Sequence, residues 1–235
     1  RLEAVLYCGG CIKGPMELVE SLPVGGFSKL PSAPHLTPTH TALTELVDAT
    51  HKTLDLTAMY IDLLGTEDRA HYSPSQMRKW GADRGLKLFD ALVRAAKRGV
   101  ALRMLLGTLN SPLNSTEVVK LSAFPNVQVR QWDPKPWYGG GIMHAKVWLA
   151  DAPTERATFY VGSANSDWKS LAQIQEIGVL SRGNAELALD ARKVFDAFWS
   201  WAQLHPGDAG AAVASAWSPS LQATLAPLPA WDPNV

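Results

Sequence analysis

The chain has 235 residues, of which 46% are hydrophobic and 19% are charged, and its formal net charge is zero. This composition indicates a globular protein with a sizeable core and excludes a disordered chain. The zero net charge argues against long-range electrostatic capture of nucleic acid, although a pocket that grips a few phosphates is compatible with it. We find no stretch with the length and apolarity of a membrane-spanning helix and no signal-peptide pattern. Because the chain begins with Arg1 rather than Met, we expect a fragment or a processed product.

Strands and helices are predicted to alternate along the chain. Hydrophobic periodicity and turn residues predict strands at 16–22, 54–61, 100–106, 127–132, 142–150, 157–161 and 174–181. Helices are predicted at 40–50, 116–122 and 187–204. A further long helix is predicted to begin at Pro74 or Ser75 and to continue through an apolar stripe that ends at Ala96. Loops rich in polar residues, Pro or Gly are predicted at 23–39, 62–73 and 134–141.

This alternation predicts an α/β fold with a mixed, largely buried β-sheet flanked by helices. Three segments follow from the same pattern. Residues 1–15 are predicted to form an extended lead-in, residues 16–204 one domain, and residues 205–235 an Ala- and Pro-rich tail or linker.

The two cysteines, Cys8 and Cys11, form a Cys-Gly-Gly-Cys segment near the amino terminus. A redox pair of this spacing normally opens a helix, which the neighbouring glycines and Pro15 oppose. Two cysteines cannot complete a zinc site alone. We therefore expect a local disulfide or two free thiols.

The segment from His144 to Asn165 combines the side chains that a phosphate group requires. In a strand at 142–150, His144 and Lys146 would project side by side, with Ala145 and Val147 turned into the core. A hairpin turn at 151–156 would then bring Ser163 and Asn165 to the same place. Lysine supplies a compact positive charge, the amide and hydroxyl donate hydrogen bonds, and histidine can attack or exchange a proton.

His144, Lys146 and Asp151 resemble the HKD motif of the phospholipase D superfamily, and Gly162-Ser-Ala-Asn165 follows in the manner of that family. Met16–Pro23, Thr57–Tyr60, Asp167–Ser170 and Gln175–Val179 are similar to its lysosomal and endoplasmic-reticulum branch, whose better understood members are 5′-exonucleases on single-stranded nucleic acid. The similarity covers roughly residues 16–220.

The resemblance implies a role for each site residue. His144 would be the nucleophile or the acid/base, and Glu176 would fix its tautomer. Lys146 and Asn165 would clamp the phosphate, Ser163 would be a supporting donor, and Asp151 would hold the hairpin turn. The family mechanism passes through a phosphohistidine that water resolves, and it requires no metal or other cofactor.

This sequence departs from the family pattern in two ways. Ten residues separate Asp151 from Gly162, where the family usually has six, and an exposed hairpin tip should tolerate this insertion. Only one HKD motif is present, so the chain supplies half of an active site. The second half would come from a carboxy-terminal segment absent here or from a homodimer partner.

The resemblance favours a 5′-exonuclease on single-stranded nucleic acid. A phospholipid-hydrolysing phospholipase D and a non-catalytic half-domain with a binding or structural role remain alternatives. Five aromatic residues could line a binding groove or pack in the core, namely Tyr60, Trp132, Trp137, Tyr138 and Trp168. By resemblance we expect a lumenal location, in agreement with the glycosylation acceptor triplet at Asn114.

Overall fold

A computed structural model describes residues 15–24, 36–109, 113–135 and 140–203, and every structural statement below concerns these residues. Ten strands are present, at β1 (Met16–Ser21), β2 (Thr37–Pro38), β3 (Thr53–Ala58), β4 (Ile61–Asp62), β5 (Ala101–Leu106), β6 (Val127–Gln131), β7 (Val147–Ala150), β8 (Thr158–Gly162), β9 (Ser166–Asp167) and β10 (Glu176–Arg182). The described helices are α1 (Thr39–Ala49), α2 (Thr66–His71), α3 (Pro74–Lys79), α4 (Asp83–Lys97), α5 (Thr116–Ser122), α6 (Trp168–Ala172) and α7 (Ala185–Trp201).

Eight strands form one mixed sheet in the order β2-β1-β10-β8-β7-β3-β5-β6. Strands β3, β5 and β6 are parallel to one another, and β2 is parallel to β1. The pairs β3–β7, β7–β8, β8–β10 and β10–β1 are antiparallel. Strands β3 and β8 therefore finish where β7 and β10 begin. We call this end, marked by Ala58, Gly162, Val147 and Glu176, the site end of the sheet.

Helices cover both faces of the sheet, which confirms the predicted α/β class. On one face, Leu54, Leu56, Trp148 and Tyr160 pack in a single buried cluster with side chains of α1 and α4. On the other face, Leu105 and Leu149 pack against side chains of α7. The alternation of buried side chains along each strand produces the two faces. The outer limits of the predicted domain, 16–204, stay a prediction.

A buried ionic network fastens α7 to its face of the sheet. The Asp55 carboxylate, whose side chain is 2% exposed, lies 2.6 Å from Arg103 Nε and 3.4 Å from Arg192 Nε. Asp196 of α7 contacts the same two arginines. A buried carboxylate needs such partners, because an unpaired charge away from water is costly.

Two predicted segments differ from the structure. The loop predicted at 62–73 contains the helix α2, whose residues are all outside the core and therefore show no apolar periodicity. The long helix predicted from Pro74 is two helices, α3 and α4, and Gly81 with its positive φ of 81° lies between them. The start at Pro74 is confirmed, with Ser73 as the capping residue.

The strand predicted at 142–150 is also too long, because β7 begins only at Val147. Val147 pairs with Thr57 near the end of β3, and with Val161 near the end of β8. Residues 142–146 extend past both neighbours and lose the strand partners that would keep them regular. His144 and Lys146 consequently lie on irregular backbone at the site end.

Candidate active site

All five predicted substrate-contacting or catalytic residues come together at the site end of the sheet. His144 and Lys146 precede β7, Ser163 and Asn165 follow β8, and Glu176 is the first residue of β10. The pairing of Val147 with Val161 and of Gly162 with Gly178 brings these chain segments side by side. The hairpin that was predicted to join the motif to Ser163 is confirmed.

Lys146 lies against the ring of His144. Its Nζ is 2.9 Å from His144 Nδ1, 3.0 Å from Nε2 and 2.8 Å from the His144 carbonyl oxygen. The predicted facing was wrong: Ala145 is exposed, whereas Lys146 is buried and His144 is exposed. The cause is the irregular backbone before β7, where the two-residue alternation of a strand no longer holds.

Burial lowers the pKa of Lys146, and the negative charge of Glu176 opposes that shift. Among the described residues, no carboxylate makes an ion pair with the Lys146 ammonium. An ammonium group that has lost much of its hydration and lacks such a partner is poised to attract an anion. This chemistry matches the role of a phosphate clamp.

Ser163 joins β8 to Glu176. Its hydroxyl donates a short hydrogen bond to the Glu176 carboxylate and accepts one from the backbone N–H of Ile177, at 3.1 Å. Within the described part of the chain, no hydrogen bond joins Glu176 to His144. The role of Glu176 as the residue that orients His144 therefore stays a prediction, and its contact in the structure is with the serine.

Asn165 belongs to a relay that the sequence did not reveal. Its Nδ2 donates to the hydroxyl of Tyr60 at 3.3 Å, and that hydroxyl donates a short hydrogen bond to Asp167. Burial and the bond to Asp167 raise the pKa of Tyr60. The pairing of β4 with β9 places these distant segments together, and nothing in the local sequence of Tyr60 indicates it. Asp167 also caps α6 by accepting from Ser170 N–H.

Several acidic side chains lie near this relay. Burial, together with the negative charges of Glu117, Asp167 and Asp68, raises the pKa of Asp62 from 3.8 to about 6. Among the described residues, no group of three or more His, Cys, Asp or Glu side chains is arranged to hold a metal ion.

Asp151 lies at the opposite end of β7 from Lys146. Its carboxylate accepts from the backbone N–H groups of His51, Lys52 and Thr53, at 2.8, 2.6 and 3.1 Å. Its φ of 52° lies in the left-handed region that Asp tolerates better than most residues. These contacts support the structural role predicted for Asp151, because they attach the hairpin turn to the start of β3.

The aromatic candidates have different positions. Trp168 is 3% exposed and donates to Asp68 through its indole N–H, so it packs in the core and does not line a groove. Trp132 is 6% exposed, and it also lines a cavity next to His144. Trp137, Tyr138, Cys8 and Cys11 lie outside the described residues.

The cavity next to His144 has a volume of about 390 Å³. Its lining combines the segment before Lys146, the ends of β3, β5 and β6, and the end of α7. No described helix is long and apolar enough to cross a membrane.

A mixed sheet that gathers His144, Lys146, Ser163 and Asn165 at one end is the architecture expected for a phospholipase-D-like protein. Residues 43–199 match the family described as "Cardiolipin synthase, PLD-like domain". This match covers more than half of the chain, and the chain belongs to that PLD-like family.

Curated relatives carry related names. The chain is 31% identical over 221 residues to "Phospholipase D Z" of Dictyostelium discoideum, covering 93% of this chain and 48% of the relative. It is 33% identical over 201 residues to the "5'-3' exonuclease PLD3" of Rattus norvegicus, covering 85% and 37%. The chain therefore spans about half or less of the length of these relatives.

The fold is also similar to a solved structure. Nuc from Salmonella typhimurium, described as a phospholipase D family member, aligns with a TM-score of 0.51 at 16% identity. The alignment covers 81% of this chain and 97% of Nuc. At this identity the likeness shows the fold alone.

Proposed function

We propose that this chain is one half of a phosphodiesterase that hydrolyses single-stranded nucleic acid from its 5′ end, with His144 as the nucleophile. The observation that carries the proposal is the contact between the Lys146 ammonium and the His144 ring. A phosphodiester held by Lys146 would have its phosphorus within reach of a ring nitrogen of His144. Phosphate binding and nucleophilic attack would thus occur at one point.

The remaining groups would stabilise the charge that develops on the phosphate. Asn165 has a second amide hydrogen that Tyr60 does not use, and it can donate to a non-bridging oxygen. Ser163 is connected to Glu176, so its hydroxyl is held in place at the same end of the sheet. Fixed donors cost little reorganisation during the reaction.

The proposed reaction has two steps. An unprotonated ring nitrogen of His144 attacks phosphorus, a bond from nitrogen to phosphorus forms, and the bond to the leaving oxygen breaks. A second histidine gives that oxygen a proton. Water then attacks the phosphohistidine and transfers a proton to the second histidine, and the bond from nitrogen to phosphorus breaks.

The second histidine would come from another half. The length of the curated relatives, about twice that of this chain or more, supports a second half in the same polypeptide. A homodimer partner is the other source that we propose, since a twofold axis would duplicate His144.

Phospholipid hydrolysis is the second candidate. Two exposed aliphatic residues flank the site, Ile142 and Ile177, with exposed fractions of 53% and 57%. Such side chains fit a lipid surface, and a relative carries the name phospholipase D. The name of the exonuclease relative and the aromatic lining of the cavity favour nucleic acid as the first candidate.

The test is an assay of the full chain against a 5′-hydroxyl single-stranded oligonucleotide and a short-chain phosphatidylcholine, over a range of protein concentrations. We expect oligonucleotide hydrolysis that survives a chelator and that falls by about a thousandfold or more in His144→Ala. His71→Ala is the matched control, because His71 is exposed on α2.

Three results would contradict the proposal. Hydrolysis that persists in His144→Ala would remove His144 from the reaction, and chelator-sensitive hydrolysis would exclude the metal-free route. Turnover of phosphatidylcholine alone would replace nucleic acid by lipid. Absence of any turnover at every protein concentration would exclude a homodimer as the source of the second histidine and would favour either a second half in the same polypeptide or the non-catalytic alternative.

A further inference from the structure

The cavity next to His144 has the chemistry of a site for a planar, uncharged ring. We propose that it binds the base of a nucleotide adjoining the scissile phosphate, an inference that rests on the proposed function and deepens it. The cavity volume of about 390 Å³ lies at the lower end of the range for small-molecule sites, about 300–1,000 Å³. One base with part of its sugar fits such a space.

Three aromatic residues form one wall of the cavity, namely Trp132, Phe198 and Trp201. The centroid of the Trp132 ring is 4.9 Å from that of Phe198 and 5.7 Å from that of Trp201, with tilts of 40° and 48°. Phe198 and Trp201 meet edge to face at 5.2 Å and 88°. Because neither Trp132 nor Phe198 is stacked in parallel on a ring neighbour among the described residues, both leave ring surface for a further aromatic ring.

The lining of the cavity disfavours a charged ligand group. Of the described residues that line it, His144 is the sole titratable one, and the others are apolar, aromatic, glycine or threonine. A phosphate would gain little inside it, whereas the neutral base of the same nucleotide would be desolvated favourably. The phosphate would instead remain at Lys146, which contacts His144 but does not line the cavity.

One polar group in the wall lacks a partner. Trp132 is only 6% exposed, and its buried indole N–H has no hydrogen-bond acceptor among the described residues. A buried donor without an acceptor is unfavourable unless a ligand or water supplies one. A base carries ring nitrogens or carbonyl oxygens at its edge, whereas the hydrocarbon part of a lipid tail carries no acceptor. This difference favours a base over a lipid tail.

The position of the cavity fits a nucleotide whose phosphate is at the motif. His144 contacts Lys146 Nζ and also contributes to the lining of the cavity. Thr57, at the end of β3, lies in the same lining and accepts through its hydroxyl from Val147 N–H at 3.0 Å. The phosphate site and the base site are therefore continuous.

The test measures binding rather than turnover. Phosphorothioate-linked single-stranded oligonucleotides of equal length, each with one abasic position, are titrated against the full chain by fluorescence anisotropy. We expect the abasic change at one position to weaken binding about ten- to a hundredfold, the range of stacking on aromatic residues. In Trp132→Leu and Phe198→Leu this difference should shrink to about twofold or less.

Matched variants separate stacking from stability. Trp132→Phe keeps an aromatic ring but loses the donor, so we expect it to retain part of the abasic difference. Trp80→Leu is the control, because Trp80 packs on Tyr72 at 4.9 Å and does not line the cavity. Thermal unfolding of each variant establishes that it is folded.

Several results would overturn the base site. An abasic difference that is absent at every position, or unchanged in folded Trp132→Leu and Phe198→Leu, would do so. Failure of the oligonucleotide to bind would also do so, with or without binding of short-chain phosphatidylcholine. These outcomes are distinct from failure of the proposed function, which is decided by hydrolysis in His144→Ala.

Discussion

Lys146 combines burial with a position against the His144 ring, and this determines how its charge depends on pH. Burial lowers the pKa of its ammonium, so the charge is lost at a lower pH than that of a surface lysine. The interaction with phosphate is complete below this pKa and disappears as the pH rises through it. An arginine at the same place would stay charged throughout, because its pKa exceeds about 12.

The first prediction concerns this charge. Lys146→Met should weaken oligonucleotide binding about tenfold or more, since a charge-assisted hydrogen bond contributes about 1.5–3 kcal/mol. Lys146→Arg should retain part of the affinity and lose the decline at alkaline pH that the wild type shows. The measurement is the dissociation constant between about pH 6 and pH 11, a range around the ordinary lysine pKa of about 10.4. An identical alkaline decline in Lys146→Arg would contradict the assignment.

The second prediction concerns Asp62. Its pKa of about 6 in the folded protein lies above the ordinary 3.8, so the folded state binds this proton more tightly. The free energy of unfolding should therefore fall as the pH rises from about 4 to 6. Asp62→Asn should raise it by about 1 kcal/mol at neutral pH, after allowance for partial exposure, and the gain should vanish near pH 4.

Urea unfolding at several pH values measures this effect. Glu155→Gln, at an exposed position in the turn after β7, is the control and should change little. A stability gain in Asp62→Asn that is the same at pH 4 and pH 7 would contradict burial of the charge as its cause.

At the scale of elements, β8 and β10 fit together because each has a glycine beside Tyr160. A methyl group at Gly162 would lie 2.3 Å from the Tyr160 hydroxyl oxygen, and one at Gly178 would lie 2.5 Å from its ring. Tyr160 is fully buried, so it cannot easily move away. Close packing against Tyr160 thus explains why the Gly-Ser-Ala-Asn segment begins with a glycine, Gly162.

The third prediction follows from this contact. Gly162→Ala should lower the free energy of unfolding by about 2 kcal/mol, because overpacking in a dense core costs about 1–3 kcal/mol. Addition of Tyr160→Phe should relieve part of the loss, which a double-mutant cycle measures. Gly140→Ala, with open space around the new methyl group, is the matched control. Full additivity of the two changes would contradict the packing explanation.

The sequence predicted the elements whose residues repeat with a clear period. Helix α5 and the strands β3, β5 and β6 lie within a few residues of their predicted bounds, since their apolar residues face a core. Helix α2 was missed because it has no buried residue. Residues 142–146 were predicted as strand because alternation cannot reveal where the neighbouring strands end.

The candidate site could be predicted in its residue types but not in its contacts. The spacing of His144, Lys146, Ser163 and Asn165 fixes the motif, and antiparallel pairing brings its two parts together. The relay from Asn165 through Tyr60 depends on segments more than 100 residues apart. The preference of Glu176 for Ser163 depends on side-chain orientation, which sequence spacing does not determine.

At the scale of the whole molecule, a mixed sheet places the five candidate substrate-contacting or catalytic residues at one end and Asp151 at the other, while its helices cover the two faces. This arrangement leaves the His144 side open, next to the exposed Ile142 and the cavity. An open site with one histidine is suited to completion by a second half. The proposed nucleophilic step itself needs only this half when the leaving group is good enough to depart without a proton.

The fourth prediction uses that distinction and tests the central claim, that His144 attacks phosphorus. The full chain is incubated with an aryl ester of a nucleoside monophosphate, whose leaving group needs no acid, then denatured at alkaline pH and analysed by mass spectrometry. We predict a nucleotidyl adduct on His144, absent from His144→Ala and present in His71→Ala. Release of the aryl group without an adduct at His144, or with equal efficiency in His144→Ala, would contradict the account.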